Sequence, residues 1–313
     1  MNTLSAHKKR VVDCEVSPDG RFAASSDNGG TGFLWDLESG EPLKRFKTRR
    51  FSARLAFSLD SSRLAYENRE SDVEVVKVRR NGRVEKTLRM TTEDCCHGIA
   101  FARCKPGLAV GNRSGVNWWD VEREQGVSAR TPTLPSLEIG HDEGVNYGMD
   151  TVVISPDDLI LATASEGRVK LIELTTHRRL RELVASSGRV CALAFSRDGA
   201  RLAAATETSL AHEEARNEVL VWEIRSGDLL HQVELPDGTG DAGLQVTWAQ
   251  DGRLLAAYPH GDDYCVLDVD APNVPVRLQA KGGHLRGARV AASGERAVGF
   301  GPGRELLVWN LAG

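Results

Sequence analysis

Four potential metal ligands lie close together in the sequence: Cys95, Cys96, His97 and Cys104. Structural zinc sites usually space their cysteines as CxxC, so that each sulfur can reach a different corner of a tetrahedral ion. Adjacent cysteines are hard to place on one ion, and the chain contains no CxxC pair. We therefore expect these residues to pack structurally, and we predict no metal site.

The segment from Gly238 to Gly243 reads GTGDAG and matches the dinucleotide-binding pattern GxGxxG letter for letter. That pattern binds a pyrophosphate only when a helix begins at the loop, because the amides and the dipole at the start of the helix face the phosphates. Here the alternating sequence LQVTW follows, which predicts a strand. The segment is interpreted as a connection between strands, and no nucleotide or other cofactor is predicted.

Hydrolytic signatures are also missing from the sequence. His212, Glu213 and Glu214 resemble the start of HExxH, but the second histidine ligand is replaced. No GxSxG nucleophile elbow is present, and sequence alone assigns no carboxylate pair to acid–base roles. These absences favour a protein that is not an enzyme.

A repeated pattern of short strands organises the whole chain. Between Val11 and Phe46, apolar runs VVDCEV, RFAASS and GFLWDL are separated by the turn sequences SPDG, DNGG and ESGEP, and a fourth run, PLKRF, follows. This pattern predicts successive antiparallel strands joined by tight hairpins. Since one such sheet cannot bury both of its faces, the unit needs neighbouring sheets.

The remaining chain supplies six similar units. Each unit has an apolar landmark that ends its first strand and a Trp-like landmark in its third strand; the pairs are Val16 and Trp35, Phe57 and Val76, Phe101 and Trp119, Ile154 and Ile172, Phe195 and Trp222, Trp248 and Leu267, and Val290 and Trp309. Their separations are 19, 19, 18, 18, 27, 19 and 19 residues. A repeat of about 40–50 residues that ends its third strand with a WD-like dipeptide is typical of β-propellers.

The chain resembles the WD40-repeat family along essentially its whole length. The motif dipeptides are Trp35-Asp36, Trp119-Asp120, Trp222-Glu223, Leu267-Asp268 and Trp309-Asn310, with degenerate forms at Val76-Lys77 and Ile172-Glu173, and the family's Gly-His pair survives as Gly140-His141 and Gly283-His284. The resemblance implies that His7, Ser25 and Trp35 form the family's structural hydrogen-bond network in blade one, whereas the other blades have lost parts of it.

This resemblance implies an all-β fold, a single seven-bladed β-propeller of four-stranded antiparallel blades that spans residues 1–313. After Trp309 only four residues remain, so blade seven lacks an outer strand at the end of the sequence. Residues Met1 to Ala6 are available to supply it, and the ring is predicted to be closed by this N-terminal strand, which removes an open sheet edge.

Composition and charge narrow the class of protein further. The chain has 41% hydrophobic and 27% charged residues and carries neither an apolar stretch of membrane-spanning length nor an apolar N-terminal signal, so a cytoplasmic protein without a membrane role is predicted. The net charge of −4 argues against general nucleic-acid binding. Residues 1–130 hold 23 Lys and Arg against 18 Asp and Glu, a net of +5, and the remainder holds 17 against 26, a net of −9.

A propeller has two faces, which are predicted to differ. The turn face carries the turns between strands one and two and between strands three and four, and the former are short and uniform here. The connector face carries the turns between strands two and three and the connections between blades, and these vary. Surplus residues occur between Glu207 and Glu218 and in Gly140–Asp150. A third insertion, Thr131–Pro135, is assigned to neither face. Since loops that lengthen on one face of a rigid scaffold commonly mark a binding surface, the connector face is the predicted interaction surface.

Two groups of residues are the candidate site. On the basic side of the connector face, Arg49, Arg50, Phe51 and Arg54 are predicted to contact a partner, and on the acidic side His212, Glu213 and Glu214. Opposed charges of this kind would orient a partner protein. At the mouth of the central channel, four residues before each first-strand landmark, His97, Asp150 and Arg286 are the polar exceptions in a mostly apolar set.

The predicted function is that of a non-catalytic scaffold that binds one or more proteins through the connector face, as the family resemblance implies. Two alternatives remain open. The chain could be the sensor or regulatory module of a larger signalling protein, or a small-molecule-binding or enzymatic propeller with its site at the channel mouth.

Overall fold

A computed structural model of the chain describes residues 1–50, 54–92, 96–112, 115–122, 128–129, 151–165, 167–185, 189–208, 216–235, 243–271, 275–279 and 285–311. The described residues form strands, turns and loops without a helix, and none of them belongs to a helix long and apolar enough to cross a membrane. The all-β prediction is confirmed.

Seven antiparallel sheets stand in sequence order around one ring, which confirms the seven-bladed propeller. The first strand of the chain is β1 (Asn2–Ser5). Blades one to three contain β2 (Val11–Val16), β3 (Phe22–Asp27), β4 (Thr31–Asp36) and β5 (Pro42–Lys47); β6 (Leu55–Phe57), β7 (Arg63–Glu67), β8 (Val73–Val78) and β9 (Val84–Met90); and β10 (Gly98–Phe101), β11 (Gly107–Asn112) and β12 (Gly115–Asp120). The two-residue strand β13 (Ser128–Ala129) follows.

The remaining blades continue the same order along the chain. Blades four to seven contain β14 (Thr151–Ile154), β15 (Ile160–Ser165), β16 (Arg168–Glu173) and β17 (Arg179–Val184); β18 (Arg189–Phe195), β19 (Arg201–Thr208), β20 (Arg216–Glu223) and β21 (Leu229–Leu235); β22 (Gln245–Trp248), β23 (Leu254–His260), β24 (Asp263–Asp268) and β25 (Val276–Leu278); and β26 (Gly287–Val290), β27 (Arg296–Phe300) and β28 (Glu305–Asn310).

The ring is closed by the N-terminal strand, as predicted. Strand β1 pairs antiparallel with β28 as the outer strand of blade seven, with Leu4 opposite Leu306. Leu4 is buried in the core between blades seven and one, against Val11 and Val308. The two ends of the chain therefore share one sheet, and the described blades leave no gap in the ring.

Blades two and three differ from the regular four-stranded plan. Within the described residues blade three has three strands, and β13 adds in parallel to β9 as a fifth strand of blade two. Strand β13 lies in the surplus sequence between Trp119 and Ile154, which is long enough to reach back to the neighbouring blade. The Thr131–Pro135 insertion in the same stretch is outside the described residues.

The core lies between blades, not within them. The Trp-like landmarks are buried, and Trp35 and Trp119 keep 1% of their surface exposed. Trp35 packs with blade-seven residues such as Val298 and Phe300 in one apolar cluster. Because each sheet covers the face of the next, an isolated blade would expose both of its apolar faces.

In blades one, two, four and five, the turns between strands one and two share one design on the turn face. In blade one the hydroxyl of Ser17 donates to Asp19 Oδ1 over 2.6 Å and accepts the amide of Phe22 over 2.8 Å. The residue after the aspartate has a positive φ, which is 72° at Gly20 and 59° at Ser61 in blade two. The Ser61 hydroxyl accepts the Asp19 amide over 3.1 Å, so this turn links blades one and two.

Candidate functional site

Blade one contains a buried polar network beneath the connector face, which joins Asp27 to the three residues that the sequence predicted. His7 Nε2 lies 2.7 Å from Ser25 Oγ, and Trp35 Nε1 donates to the same oxygen over 2.8 Å. His7 Nδ1 lies 3.0 Å from Asp27 Oδ2. Burial lowers the pKa of His7, although Asp27 opposes the shift. Because His7 follows β1, the network also fixes the closing strand to blade one.

The connection from blade one to blade two is held at Arg49. Its guanidinium lies 3.0 Å from Glu67 Oε1, and its amide donates to the Glu67 carbonyl. The Glu67 side chain is 1% exposed, whereas that of Arg49 is 36% exposed. Burial raises the pKa of Glu67, while Arg49 and the amide of Cys96 oppose the shift. Arg49 is therefore engaged in holding the loop, and only part of its side chain is available to a partner.

Arg50 projects from the same connection. Its side chain is exposed and lies against the turn of blade one at Gly30, where an added Cβ would come 3.3 Å from Arg50 Cγ. The described residues offer it no ion pair. Phe51 lies outside the described residues.

Arg54 lies in the wall of the central channel, together with His97, Cys191 and Leu244. The channel space there has a volume of about 300 Å³. Arg54 Nε is buried and has no hydrogen-bond partner among the described residues, and the same holds for Gln245 Oε1 in the wall contributed by blade six. Arg54 thus faces the ring axis, away from the basic loop with which the sequence grouped it.

Arg286 is exposed at the start of blade seven, and its amide donates to the Phe300 carbonyl over 2.7 Å. It does not line the described channel wall, where blade seven contributes Arg289 instead. Of the other predicted residues, Asp150, His212, Glu213 and Glu214 lie outside the described residues. The structure therefore brings together His97 and Arg54 in one wall, and leaves the acidic side of the connector face undescribed.

An ion-pair cluster in the channel was missed by the sequence reasoning. Arg289 Nη2 lies 3.5 Å from Asp13 Oδ1, and Arg289 Nε lies 3.6 Å from Glu15 Oε2. The three side chains keep 22–25% of their surface exposed because the channel is open to solvent. Burial raises the pKa of Glu15 to about 7. The positive charge of Arg289 opposes this increase, and the negative charge of Asp13 adds to it. Burial also raises the pKa of Asp13.

Strand alternation contained the signal for this cluster. Glu15 and Arg289 each precede their landmark by one residue, and Asp13 precedes its landmark by three. Since side chains alternate along a strand, residues one or three positions before a landmark point away from the side on which the landmark packs. The landmarks themselves are buried between blades. Residues at an offset of four lie on the landmark side of the strand, so that position does not reveal Asp13, Glu15 and Arg289.

The cysteines and histidine near residue 100 do not form a described metal centre. The Cys96 thiol is buried and lies 3.5 Å from the Gly98 carbonyl, and Cys104 is exposed beside the Pro156 carbonyl. Among the described residues no three His, Cys, Asp or Glu side chains come close enough together to hold an ion. Cys95 is outside the described part.

One comparison with known families covers the beginning of the chain. Residues 1–36 match the family model described as WD domain, G-beta repeat. The matched segment runs from the closing strand to Asp36 and contains the whole His7–Ser25–Trp35 network. The first three strands of blade one recur in each of the remaining blades, and the landmarks Trp119 and Trp309 occupy positions equivalent to that of Trp35. The chain is therefore a seven-bladed β-propeller whose first 36 residues match a WD40 repeat.

Proposed function

We propose that the protein is a non-catalytic interaction scaffold that binds a partner protein through its connector face. WD40 propellers commonly mediate protein–protein interactions and typically are not enzymes, and this supports the general role. The observation that carries the proposal here is the connection into blade two. From Lys44 to Arg54, the end of β5 and this connection together have six cationic residues and no carboxylate.

The structure divides these cations into two groups. Arg49 pairs with Glu67, and Arg54 faces the channel. Arg45, Lys47 and Arg50 are exposed and have no ion pair among the described residues. A loop that is anchored from beneath and charged on its outer side is preorganised, so a partner would lose little loop entropy on binding.

Affinity capture from a lysate of the native cell, with quantitative mass spectrometry, tests the proposal. The variant Lys47→Glu/Arg50→Glu reverses two exposed charges, and it leaves in place Arg49, which pairs with Glu67, and Arg54, which lies in the channel wall. Specific partners are expected with the wild-type protein, and their yield is expected to fall about tenfold with the variant.

The matched control is Arg178→Glu/Arg277→Glu, which reverses two exposed arginines on blades four and six. It should capture the same partners as the wild-type protein. Capture of no protein above background contradicts the scaffold role. An equal loss with both variants contradicts the assignment to the connector face.

A second candidate function, the binding of a small molecule in the channel, is supported by the uncommitted polar atoms of Arg54 and Gln245. A guanidinium whose Nε has no hydrogen-bond partner among the described residues suits a carboxylate, since two N–H groups can bind both oxygens. Thermal shift assays with acetate, glycolate and succinate test this function. A rise in the melting temperature that Arg54→Leu abolishes supports it, and no rise with any of the three acids contradicts it.

A further inference from the structure

Four loops of blades seven, one and two meet on the connector face and form one continuous surface. They comprise residues 301–304 of blade seven, 7–10 between blades seven and one, 28–30 of blade one, and 48–50 between blades one and two. Backbone hydrogen bonds join neighbouring loops; the donor amides and acceptor carbonyls are Val11 and Gly303 over 3.2 Å, Asn28 and Arg10 over 3.0 Å, and Thr48 and Gly30 over 3.1 Å. We call these four loops the seam surface, because they cross the seam at which β1 closes the ring.

The seam surface is rich in cations. Its sequences, GPGR, HKKR, NGG and TRR, contain six lysines and arginines and no carboxylate. One of these cations, Arg49, pairs with Glu67. The other five are exposed and form no ion pair with a described residue: Lys8, Lys9, Arg10, Arg50 and Arg304. The surface therefore carries positive charge that the described part of the protein does not pair.

Two of these cations lie against the same turn of blade one. An added Cβ at Gly29 would come 3.0 Å from Lys9 Cγ, and an added Cβ at Gly30 would come 3.3 Å from Arg50 Cγ. The two glycines are neighbours, so their Cα atoms are about 3.8 Å apart. Gly30 also has a φ of 80°, in the left-handed region that favours glycine. The turn thus holds a lysine from one connection and an arginine from the next close together.

The nearest carboxylates along the chain are already bonded elsewhere. Asp27 is 1% exposed, and its Oδ1 accepts the amides of Gly29 and Thr31 over 2.9 and 3.0 Å. Its Oδ2 lies 3.0 Å from the His7 ring. Glu305 accepts the Ser5 hydroxyl over 3.4 Å. Neither carboxylate forms an ion pair with a lysine or arginine among the described residues, so the seam surface keeps its positive charge.

The distribution of the five cations indicates the chemistry of the ligand. They lie on three loops of adjoining blades, so a matching ligand carries several negative charges spread over more than one blade. A single small anion would leave most of the cations unpaired. The net charge of −4 for the whole chain repels a long polyanion such as a nucleic acid, and likewise an anionic membrane surface. A short acidic segment of a protein meets mainly the local positive charge.

We propose that the seam surface binds an acidic segment of a partner protein. Carboxylates of the segment pair with Lys9 and Arg50 over the Gly29–Gly30 turn, and neighbouring carboxylates pair with cations on the loops around it. The proposal rests on the scaffold function, specifies the chemistry of the partner, and extends the binding surface from the connection into blade two to the seam between blades seven and one.

The test uses fluorescence anisotropy with a fluorescein-labelled peptide of roughly ten residues that alternates Glu and Ser, which spans about 33 Å when extended. The full-length protein should bind it, and Lys8→Glu/Lys9→Glu/Arg304→Glu should weaken binding at least about tenfold. The matched control Arg178→Glu/Arg225→Glu/Arg277→Glu changes the net charge equally on exposed arginines of blades four to six. It should bind as the wild-type protein does.

A footprint on the wild-type protein locates the peptide without any substitution. Lysines are briefly acetylated with and without the unlabelled peptide, and mass spectrometry gives the extent of reaction at each one. Lys8 and Lys9 should be protected by the peptide. Lys105 is the internal control, because it is exposed on the turn face and should react equally in both samples. Equal reaction of Lys8 and Lys9 in both samples would contradict the assignment.

Four further probes separate other ligands. A peptide that alternates Lys and Ser, a single-stranded oligonucleotide, inorganic phosphate, and vesicles of phosphatidylserine and phosphatidylcholine should not bind in the same concentration range. Tighter binding of the oligonucleotide or the vesicles, competition by phosphate alone, or equal weakening in both triple variants would overturn the proposal. So would failure of the Glu–Ser peptide to bind.

These outcomes remain distinguishable from failure of the scaffold function. If the lysate yields partners that Lys47→Glu/Arg50→Glu releases while the acidic peptide does not bind, the assignment of the seam surface is wrong and the scaffold role stands. If the peptide binds specifically but the lysate yields no partner, the seam surface is a real site and the scaffold role fails. Circular dichroism and the melting temperature of each variant verify that the fold is intact.

Discussion

Blades one and two use different chemistry to fix the same part of the repeat. In blade one, His7 bonds Ser25 and Asp27, and Trp35 completes a buried network beneath the connector face. In blade two, the connection is held by the pair of Arg49 and Glu67 instead. Both blades keep their third-strand landmark buried, as Trp35 or as Val76, each 1% exposed.

The difference shows that the propeller geometry does not require the hydrogen-bond network in every blade. Val76 in place of tryptophan still packs against Leu34 and Leu64 in the core between the two blades. What changes is the exposure of the polar groups. The His7 side chain is 0% exposed, whereas 36% of the Arg49 side chain is exposed. Of these two residues, Arg49 is therefore the one that both holds its connection and reaches solvent.

The largest effect is expected from His7→Ala in blade one. The substitution leaves a cavity and removes hydrogen-bond partners from buried Ser25 and Asp27, which together should lower the free energy of unfolding by about 3 kcal/mol. It should also loosen β1, because His7 joins that strand to blade one. Urea unfolding followed by tryptophan fluorescence measures the loss, and limited proteolysis near the N-terminus measures the loosening.

The control for this prediction is His231→Ala, which removes an exposed histidine on β21. It should change the free energy of unfolding by no more than about 0.5 kcal/mol. Equal stability of the two variants would show that packing alone, without the network, holds blade one.

A smaller effect is expected from Arg49→Met in blade two. The substitution leaves the buried Glu67 carboxylate without its cation, and a loss of about 2 kcal/mol is expected, less than for a fully buried pair because solvent screens Arg49. The double variant Arg49→Met/Glu67→Gln should recover most of this loss. Gln removes the charge and keeps an oxygen for the Cys96 amide, which lies 3.3 Å from Glu67 Oε1.

Urea unfolding of the two single variants and the double variant gives the coupling between the residues. A pair with an exposed carboxylate is the control: Arg63, whose side chain is 21% exposed, lies 3.0 Å from Glu122, whose side chain is 63% exposed. Arg63→Met should cost less than about 1 kcal/mol. If Arg49→Met costs no more than this, Arg49 is not needed to hold the connection.

The contributions of His7 in blade one and Glu67 in blade two to the stability of the fold should change in opposite directions with pH. Burial lowers the pKa of His7 in the folded protein below its ordinary 6.5, so below that pH the unfolded chain takes up a proton first and stability falls. Burial raises the pKa of Glu67 above its ordinary 4.5, so as the pH falls towards that value the folded protein takes up a proton first and stability rises.

Neutral substitutions isolate the two contributions. The pH range from 7.5 to 5 begins about one unit above 6.5 and ends near 4.5, the ordinary pKa values of the two groups. Over this range, the stability of the wild-type protein should fall relative to His7→Gln and rise relative to Glu67→Gln. Urea unfolding at several pH values gives both differences. Parallel slopes for the two variants would contradict the assigned pKa directions.

The sequence predicted the fold because the repeat is a property of hydrophobic spacing. Landmarks 18 or 19 residues apart located six blades, and a pair 27 residues apart located blade five. The shortage of sequence after Trp309 predicted that β1 closes the ring. The network of His7, Ser25 and Trp35 followed from the family resemblance. These features depend on local order along the chain, which a sequence displays directly.

The candidate site was less accessible because it depends on contacts between distant segments. Nothing near Arg49 in the sequence shows that Glu67, eighteen residues away, lies against it. Arg54 follows a basic run but belongs to the channel wall. The ion pair of Asp13 and Arg289 joins residues 276 positions apart, and only the closed ring brings them together.

The smallest effect is expected where blades one and two meet on the turn face. Gly20 of blade one and Ser61 of blade two occupy equivalent turn positions, with φ values of 72° and 59°. A non-glycine residue in this left-handed region costs about 1 kcal/mol or slightly more, and the hydrogen bond from the Asp19 amide to Ser61 Oγ returns about the same amount. Ser61→Gly removes both contributions and should change the free energy of unfolding by less than about 0.5 kcal/mol.

Ser61→Ala sharpens this prediction, because alanine keeps the strained backbone and loses the hydrogen bond. It should lower the free energy of unfolding by about 1 kcal/mol, and urea unfolding of both variants measures the difference. A Ser61→Gly variant as unstable as Ser61→Ala would mean that the bond to Asp19 outweighs the backbone strain. The two blades would then depend on a specific link across the turn face, and not only on the apolar core that Phe46, Tyr66 and Val76 form between them.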